Sequence, residues 1–283
     1  MHPRLLTSII FLDPVIVLTA PPMGFGSDPT GPVNWCLYRD DIWPNRAAAD
    51  AAHRKKSKRW DPRCLDLMAQ FGFRDLPTAL HPDLGDNADT SNPPVTLTTT
   101  KYHEVLGQLR ENFNSRTPDG KIQIDRATHA DADPQLATLP VYKPEPALTW
   151  HKLPALRPSG LFLLGEYSYL PLDQVREGIK HCGQGVGGSG GKEKVKEITI
   201  PKRGHFFPFE NVGETADYCA SWLDEVMHNY AESERAWKEK RQKLTKRDHL
   251  VLSEEWREGA QAAVCSSSQE EQDMMCALVW EDV

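Results

Sequence analysis

The apolar positions along the chain fall into three textures. Thr7-Ser8-Ile9-Ile10-Phe11-Leu12 and Pro158-Ser159-Gly160-Leu161-Phe162-Leu163-Leu164-Gly165 are short continuous apolar runs bounded by turn residues, the pattern of strands buried on both faces. The first stops at Asp13-Pro14, because proline has no amide proton to give a ladder. Residues 194–200 (KVKEITI) alternate instead, which predicts a more exposed strand, and Leu172–His181 predicts a helix between the two. A loop over 202–210 and a helix from about 212 to 230 complete the series. Strand, helix, strand, loop, helix is the closing rhythm of a parallel α/β sheet.

Between the first run and the second the texture changes. From 21 to about 150 prolines recur and regular alternation vanishes; 46–58 and 62–71 read as short amphipathic helices. Stretches rich in Asp, Asn, Pro and Gly, such as 81–94 and 114–134, read as loops. This predicts a helical cap or lid rather than part of a sheet, and such lids shape substrate access. The third texture begins after 230: residues 231–260 are highly charged with the spacings of a solvated helix, and 265–283 predict no definite structure.

Composition narrows the function classes. With 283 residues and 39% hydrophobic content, the chain can bury one sizeable core, or a core with an appendage. A net charge of −7 argues against a nucleic-acid partner, and the basic run over 53–59 reads as a solvated helix face. No segment supplies the roughly 20 uninterrupted apolar residues of a membrane span. Asp13-Pro14 likewise spoils a secretory signal by placing a charge and a helix breaker inside its apolar part. Cys36, Cys64, Cys182, Cys219, Cys265 and Cys276 are far apart and form no C-x-x-C, which fits reduced thiols in an intracellular compartment.

Two residues stand where chemistry is possible. His205 lies on the loop between a strand and a helix, at the edge where open α/β sheets place catalytic groups, and imidazole serves as base and then acid near neutral pH. A surface histidine bonded to backbone is the plain alternative. Asp13, at the end of the first strand, could orient a histidine or simply cap the next turn. The run Gly183-Gln184-Gly185-Val186-Gly187-Gly188 satisfies G-x-G-x-x-G but follows a helix rather than a strand, so it predicts a flexible loop and no dinucleotide. His103-Glu104 lacks the second histidine of H-E-x-x-H; no metal and no cofactor are expected. A cysteine enzyme pairing Cys36, Cys64 or Cys182 with His205 has no strand-to-helix elbow to support it.

Taken together, MHPRLLTSIIFLDPVI, VTLTTTKYHEV, LRPSGLFLLGEYSYL, GQGVGGSGG and GHFFPFENVGETA resemble the fungal α/β-hydrolases of secondary metabolism, a family that includes acyl-CoA thioesterases and hydrolases of toxin biosynthesis. The likeness runs from residue 1 to about 260. It implies the C-terminal part of an α/β-hydrolase fold with a cap insertion, an ester or acyl-CoA thioester as small-molecule substrate, Asp13 as acid and His205 as base. Tyrosines fill the likely slots at Gly165-Glu166-Tyr167-Ser168-Tyr169, where the more usual acid would fall, which also favours Asp13. The implied division is a core strand over 1–20 carrying the acid, a cap over 21–150, the remaining core over 151–230 and a charged tail over 231–283. The resemblance implies a peroxisomal site, since related hydrolases often carry a peroxisomal tripeptide, but the chain ends Glu281-Asp282-Val283, which is not one, so a cytoplasmic site stays open; a homodimer is allowed.

One departure is large. No G-x-S-x-G stands at a strand-to-helix turn in the sequence, and the family's nucleophilic serine would fall just upstream of Met1. The expectation is therefore an N-terminally truncated hydrolase, with exposed apolar sheet faces and impaired activity. The alternative is a non-catalytic, hydrolase-derived remnant that binds a partner.

Overall fold

The computed structural model describes residues 5–18, 31–84, 89–111, 117–119, 123–131 and 141–266. Parts of the 21–150 segment, including its first ten residues and part of the 114–134 loop, lie outside the described residues, as does the tail beyond 266. The chain divides into two compact units, Met1–Val226 and Met227–Val283.

In chain order the elements are β1 (Ser8–Leu12), α1 (Pro32–Tyr38), β2 (Ile42–Trp43), α2 (Arg46–Lys56), α3 (Pro62–Phe71), β3 (Phe73–Asp75), β4 (Val95–Leu97), α4 (Lys101–Gln108), β5 (Arg110–Glu111), β6 (Val141–Tyr142), α5 (Glu145–Lys152), β7 (Ser159–Gly165), α6 (Leu172–His181), β8 (Val195–Ile200), α7 (Phe207–Glu210), α8 (Val212–Gln242) and α9 (Glu254–Ser266). The main sheet has the order β1-β7-β8 and is parallel throughout, with Ile10 opposite Leu161 and Leu163 opposite Ile198.

β7 is the centre of this sheet because its side chains have apolar partners on both faces. Leu161 and Leu163 point to one side, against Ile200, Phe207, Trp222 and Val226. Phe162 and Leu164 point to the other, against the clusters around Leu153 and Cys182 and around Val17 and Val175. Phe11 of β1 stacks on Phe162 with ring centroids 4.4 Å apart. Burying each such side chain contributes about 1.5–3 kcal/mol.

β1 departs from its predicted full burial. Four of its residues are half-buried and Leu12 is 41% exposed. The reason is its place: β1 pairs with β7 on one side and with no strand on the other among the described residues. An apolar run looks the same whether it ends up central or at an edge.

The segment over 21–150, predicted to be a helical cap, is not purely helical in its described residues. It carries a small antiparallel sheet of order β2-β4-β3 and the pair β5-β6. Val95 and Leu97 bury against Ala49 and Phe73, with Trp43 and Met68 packed alongside. Asp61 caps α3 by accepting the Arg63 amide, and Asn45 caps α2 through the Ala48 amide. The glycine-rich run after α6 is held rather than loose: Gly183, Gly185 and Ser189 donate backbone amides to Leu153, Pro154 and Leu156. It follows the C-terminus of α6.

The helix predicted to end near residue 230 continues without interruption into the charged stretch. α8 runs on to Gln242, since Ala, Glu, Arg, Lys and Trp after Tyr230 contain no helix breaker, and α9 is separate. No helix among the described residues is long and apolar enough to cross a membrane.

Candidate active site

Three loops at the C-terminal ends of β1, β7 and β8 build the site. Asp13 follows β1 directly, and its amide extends the ladder by donating to the Leu163 carbonyl at 2.8 Å. Its φ is +45°, a left-handed conformation that aspartate tolerates better than most residues and that ends the strand abruptly. The side chain is fully buried. A buried carboxylate must be surrounded by donors, and this one is: Oδ1 accepts the Gly165 amide at 2.9 Å, while Oδ2 accepts from Ser168 Oγ at 2.5 Å and from His205 Nδ1 at 2.7 Å.

The loops of β7 and β8 are tied to each other as well. The Glu166 amide donates to the Ile200 carbonyl and the Tyr167 amide to the Arg203 carbonyl, while Glu166 Oε2 accepts the Lys202 amide at 2.6 Å. Gly165 is needed here because a Cβ would lie 2.7 Å from the Gly204 carbonyl oxygen and 2.8 Å from that of Arg203. The close approach brings His205 over Asp13.

A carboxylate accepts only, so Nδ1 carries the proton and the neutral ring leaves a lone pair on Nε2. Nε2 has no hydrogen-bond partner among the described residues, and the His205 side chain is 23% exposed. Around it stand aromatic rings. Tyr169 meets the imidazole edge-on at 4.8 Å, and Phe206 does so at 5.3 Å. Partial burial, and then the charge of Asp13, push the Tyr169 phenol above its ordinary pKa. The cap reaches the same place: Trp60 stacks on Phe209 at 4.6 Å, the Asp61 amide donates to the Phe209 carbonyl at 2.8 Å, and Arg59 pairs with Glu210.

The structure thus brings Asp13 and His205 together. Among the described residues it brings no cysteine to them. Cys36 bonds to Glu104 and neighbours Gln108, and burial, then Glu104, push its thiol up. Cys182 sits in the apolar cluster under Phe162, where burial pushes its thiol up to about 11. Cys36, Cys64, Cys182 and Cys219 are all free thiols. Among the described residues no group of three or more histidines, cysteines and carboxylates could hold a metal ion.

Sequence reasoning missed Ser168 and Gly165 as parts of the site. Both lie in the stretch set aside because tyrosines fill the usual acid slots; the only signal was a small polar residue in the turn that closes the central strand.

No protein-family model matches the chain. Among curated proteins, the type I acyl-CoA thioesterase mpaH of Penicillium roqueforti is 47% identical over 266 residues, covering 90% of this chain. The chain spans 61% of that relative's length. The mpaH' thioesterase of Penicillium brevicompactum is 46% identical over the same share. The abhydrolase domain-containing protein AFT2-1 of Alternaria alternata is 27% identical, over 78% of this chain and 75% of its own. Among solved structures, the peroxisomal α/β-hydrolase Lpx1 of Saccharomyces cerevisiae overlaps 87% of this chain and 58% of its own at 13% identity, with a TM-score of 0.48. A thioesterase domain from the curacin biosynthetic pathway overlaps 77% and 58% at 11% identity, with a TM-score of 0.39.

Proposed function

From its likeness to the fungal acyl-CoA thioesterases and abhydrolases we propose that the chain supplies the acid and the base of an ester or acyl-CoA thioester hydrolase of secondary metabolism. The observation that carries this reading is the 2.7 Å bond from His205 Nδ1 to the buried Asp13 carboxylate, with Nε2 left open. The thioester specificity is borrowed from the names of the relatives.

The chemistry follows from the tautomer. His205 Nε2 takes the proton of a serine hydroxyl as its oxygen attacks the acyl carbon, and Asp13 stabilises the imidazolium that forms. The carbon–sulfur or carbon–oxygen bond then breaks, and the leaving thiolate or alkoxide takes the proton from Nε2. Water repeats the sequence on the acyl-enzyme: Nε2 accepts its proton, and the serine oxygen leaves with it. Ser168 is not the nucleophile, since its hydroxyl bonds to Asp13 and not to Nε2. The G-x-S-x-G match at Gly187-Gly188-Ser189-Gly190-Gly191 follows a helix rather than a strand, and its Ser189 amide bonds to Leu156 ahead of β7, at the other end of the strands from His205, so the reading assigns the attacking serine to a segment other than residues 1–283. The same reading places the enzyme inside the cell, in peroxisome or cytoplasm; four unpaired thiols are compatible with that.

The test is a serine-directed fluorophosphonate and an acyl-CoA panel applied to the product of the native gene. The expected result is release of CoA and one labelled serine on a peptide outside residues 1–283. Labelling of a serine within 1–283 would overturn the assignment of the nucleophile. Neither labelling nor hydrolysis would establish the non-catalytic remnant instead.

A further inference from the structure

Asp13 Oδ2 is shared. Besides His205 Nδ1 it receives the Ser168 hydroxyl at 2.5 Å, a shorter contact than the 2.7 Å to the imidazole. The direction of that hydroxyl is fixed by its other partner. Leu170 N–H donates to Ser168 Oγ at 3.2 Å, so the serine oxygen uses a lone pair there and has its one proton for Asp13. The turn that presents it is closed by the Ser168 amide on the Gly165 carbonyl at 3.1 Å. Gly165, the same residue, holds Oδ1 through its amide. One turn therefore grips both oxygens of the carboxylate.

We propose that Ser168 is a positioning residue for the acid–base pair: its hydroxyl fixes the plane of the Asp13 carboxylate and, by sharing Oδ2, holds down the basicity of His205. This rests on the reading of Asp13 and His205 as that pair. A neutral donor on a carboxylate spreads its negative charge, and the carboxylate then stabilises a neighbouring imidazolium less. Removing the donor leaves His205 as the one side-chain donor on Oδ2, and the imidazolium gains. The titratable groups against His205 are Asp13 and Tyr169, and Glu166, Lys202 and Arg203 flank it on the two loops. None of these is altered by a substitution at 168.

The experiment is a titration of His205 in the full chain by two-dimensional NMR of its ring nitrogens, in the parent, Ser168→Ala and Ser168→Thr. The expected result is an upward shift of the His205 midpoint by about half a unit to one unit in Ser168→Ala, with the parent value restored in Ser168→Thr, which keeps a hydroxyl. Loss of packing alone would not produce a shift that a hydroxyl reverses. If Ser168→Ala fails to fold, Ser168→Cys keeps the volume with a much weaker donor and must show the same upward shift. A midpoint that is unmoved or lowered in the folded variant overturns the role of Ser168. Asp13→Asn separates this from the underlying reading: a low-field Nδ1 proton present in the parent and lost in Asp13→Asn establishes the pair. Absence of that proton in the parent overturns the pair itself.

Discussion

Asp13 ends a strand of the parallel sheet, and Asp61 begins a helix of the cap. Both accept a backbone amide and a basic side chain, yet their surroundings differ in kind. Asp13 is sealed among three donors from two other loops, and its basic partner is a histidine whose second ring nitrogen stays open. Asp61 faces Arg63 two residues away at the surface, and the guanidinium and amide of Arg63 hold its carboxyl down to about 2. The first arrangement joins residues more than 150 positions apart and exists only when the sheet is assembled. The second is local, screened by water, and adds little beyond a helix cap. The sheet edge is built for a fixed geometry, whereas the segment around Asp61 is held to itself by a small apolar cluster and by surface ion pairs such as Arg46–Asp75 and Arg54–Asp66.

That contrast can be broken by substitution. The largest stability loss is expected at Phe162→Ala, which removes a fully buried ring from the central strand and its stack with Phe11. About 3–5 kcal/mol should be lost in urea unfolding monitored by circular dichroism. Gly165→Ala comes next. Its Cβ would meet two carbonyl oxygens that cannot yield without moving the His205 loop, so about 1–3 kcal/mol of stability is lost and the His205 ring resonances shift. Arg54→Ala in the cap, by contrast, removes surface pairs with Asp50 and Asp66 and should leave the melting midpoint within the scatter of the parent.

The smallest effect is a titration. Because the Asp61 carboxyl is depressed in the folded chain, its contribution is fully present above about pH 4 and fades as pH falls through about 2. The Arg63 amide resonance should follow that window while those of β7 stay in place. Movement of the β7 resonances in step with it would show that cap and sheet are not separable in this way.

The same contrast explains what could be read from the sequence. β7, α3 and α6 carry their own boundaries, in Ser159-Gly160 and Gly165, in Asp61-Pro62, and in Pro171 with the Cys182-Gly183 end. Asp13 and His205 were legible as candidates because each stands at the end of an apolar or alternating run, and the family resemblance paired them. The bond between them was not legible, since it depends on the approach of loops 165–170 and 201–206. Ser168 was invisible for the same reason: a serine in a turn is ordinary until a buried carboxylate is placed against it. The cap sheet escaped because strands of two or three residues show no period. The edge position of β1 escaped because burial of a strand depends on its neighbours.

The central claim is that the Asp13–His205 pair moves the proton in acyl hydrolysis, and it is tested most directly by kcat of the native gene product on an acyl-CoA. The account predicts that His205→Ala lowers kcat by about 10⁴ or more and Asp13→Asn by about 10⁴, with KM little changed. A His205→Ala enzyme that turns over within tenfold of the parent would contradict it.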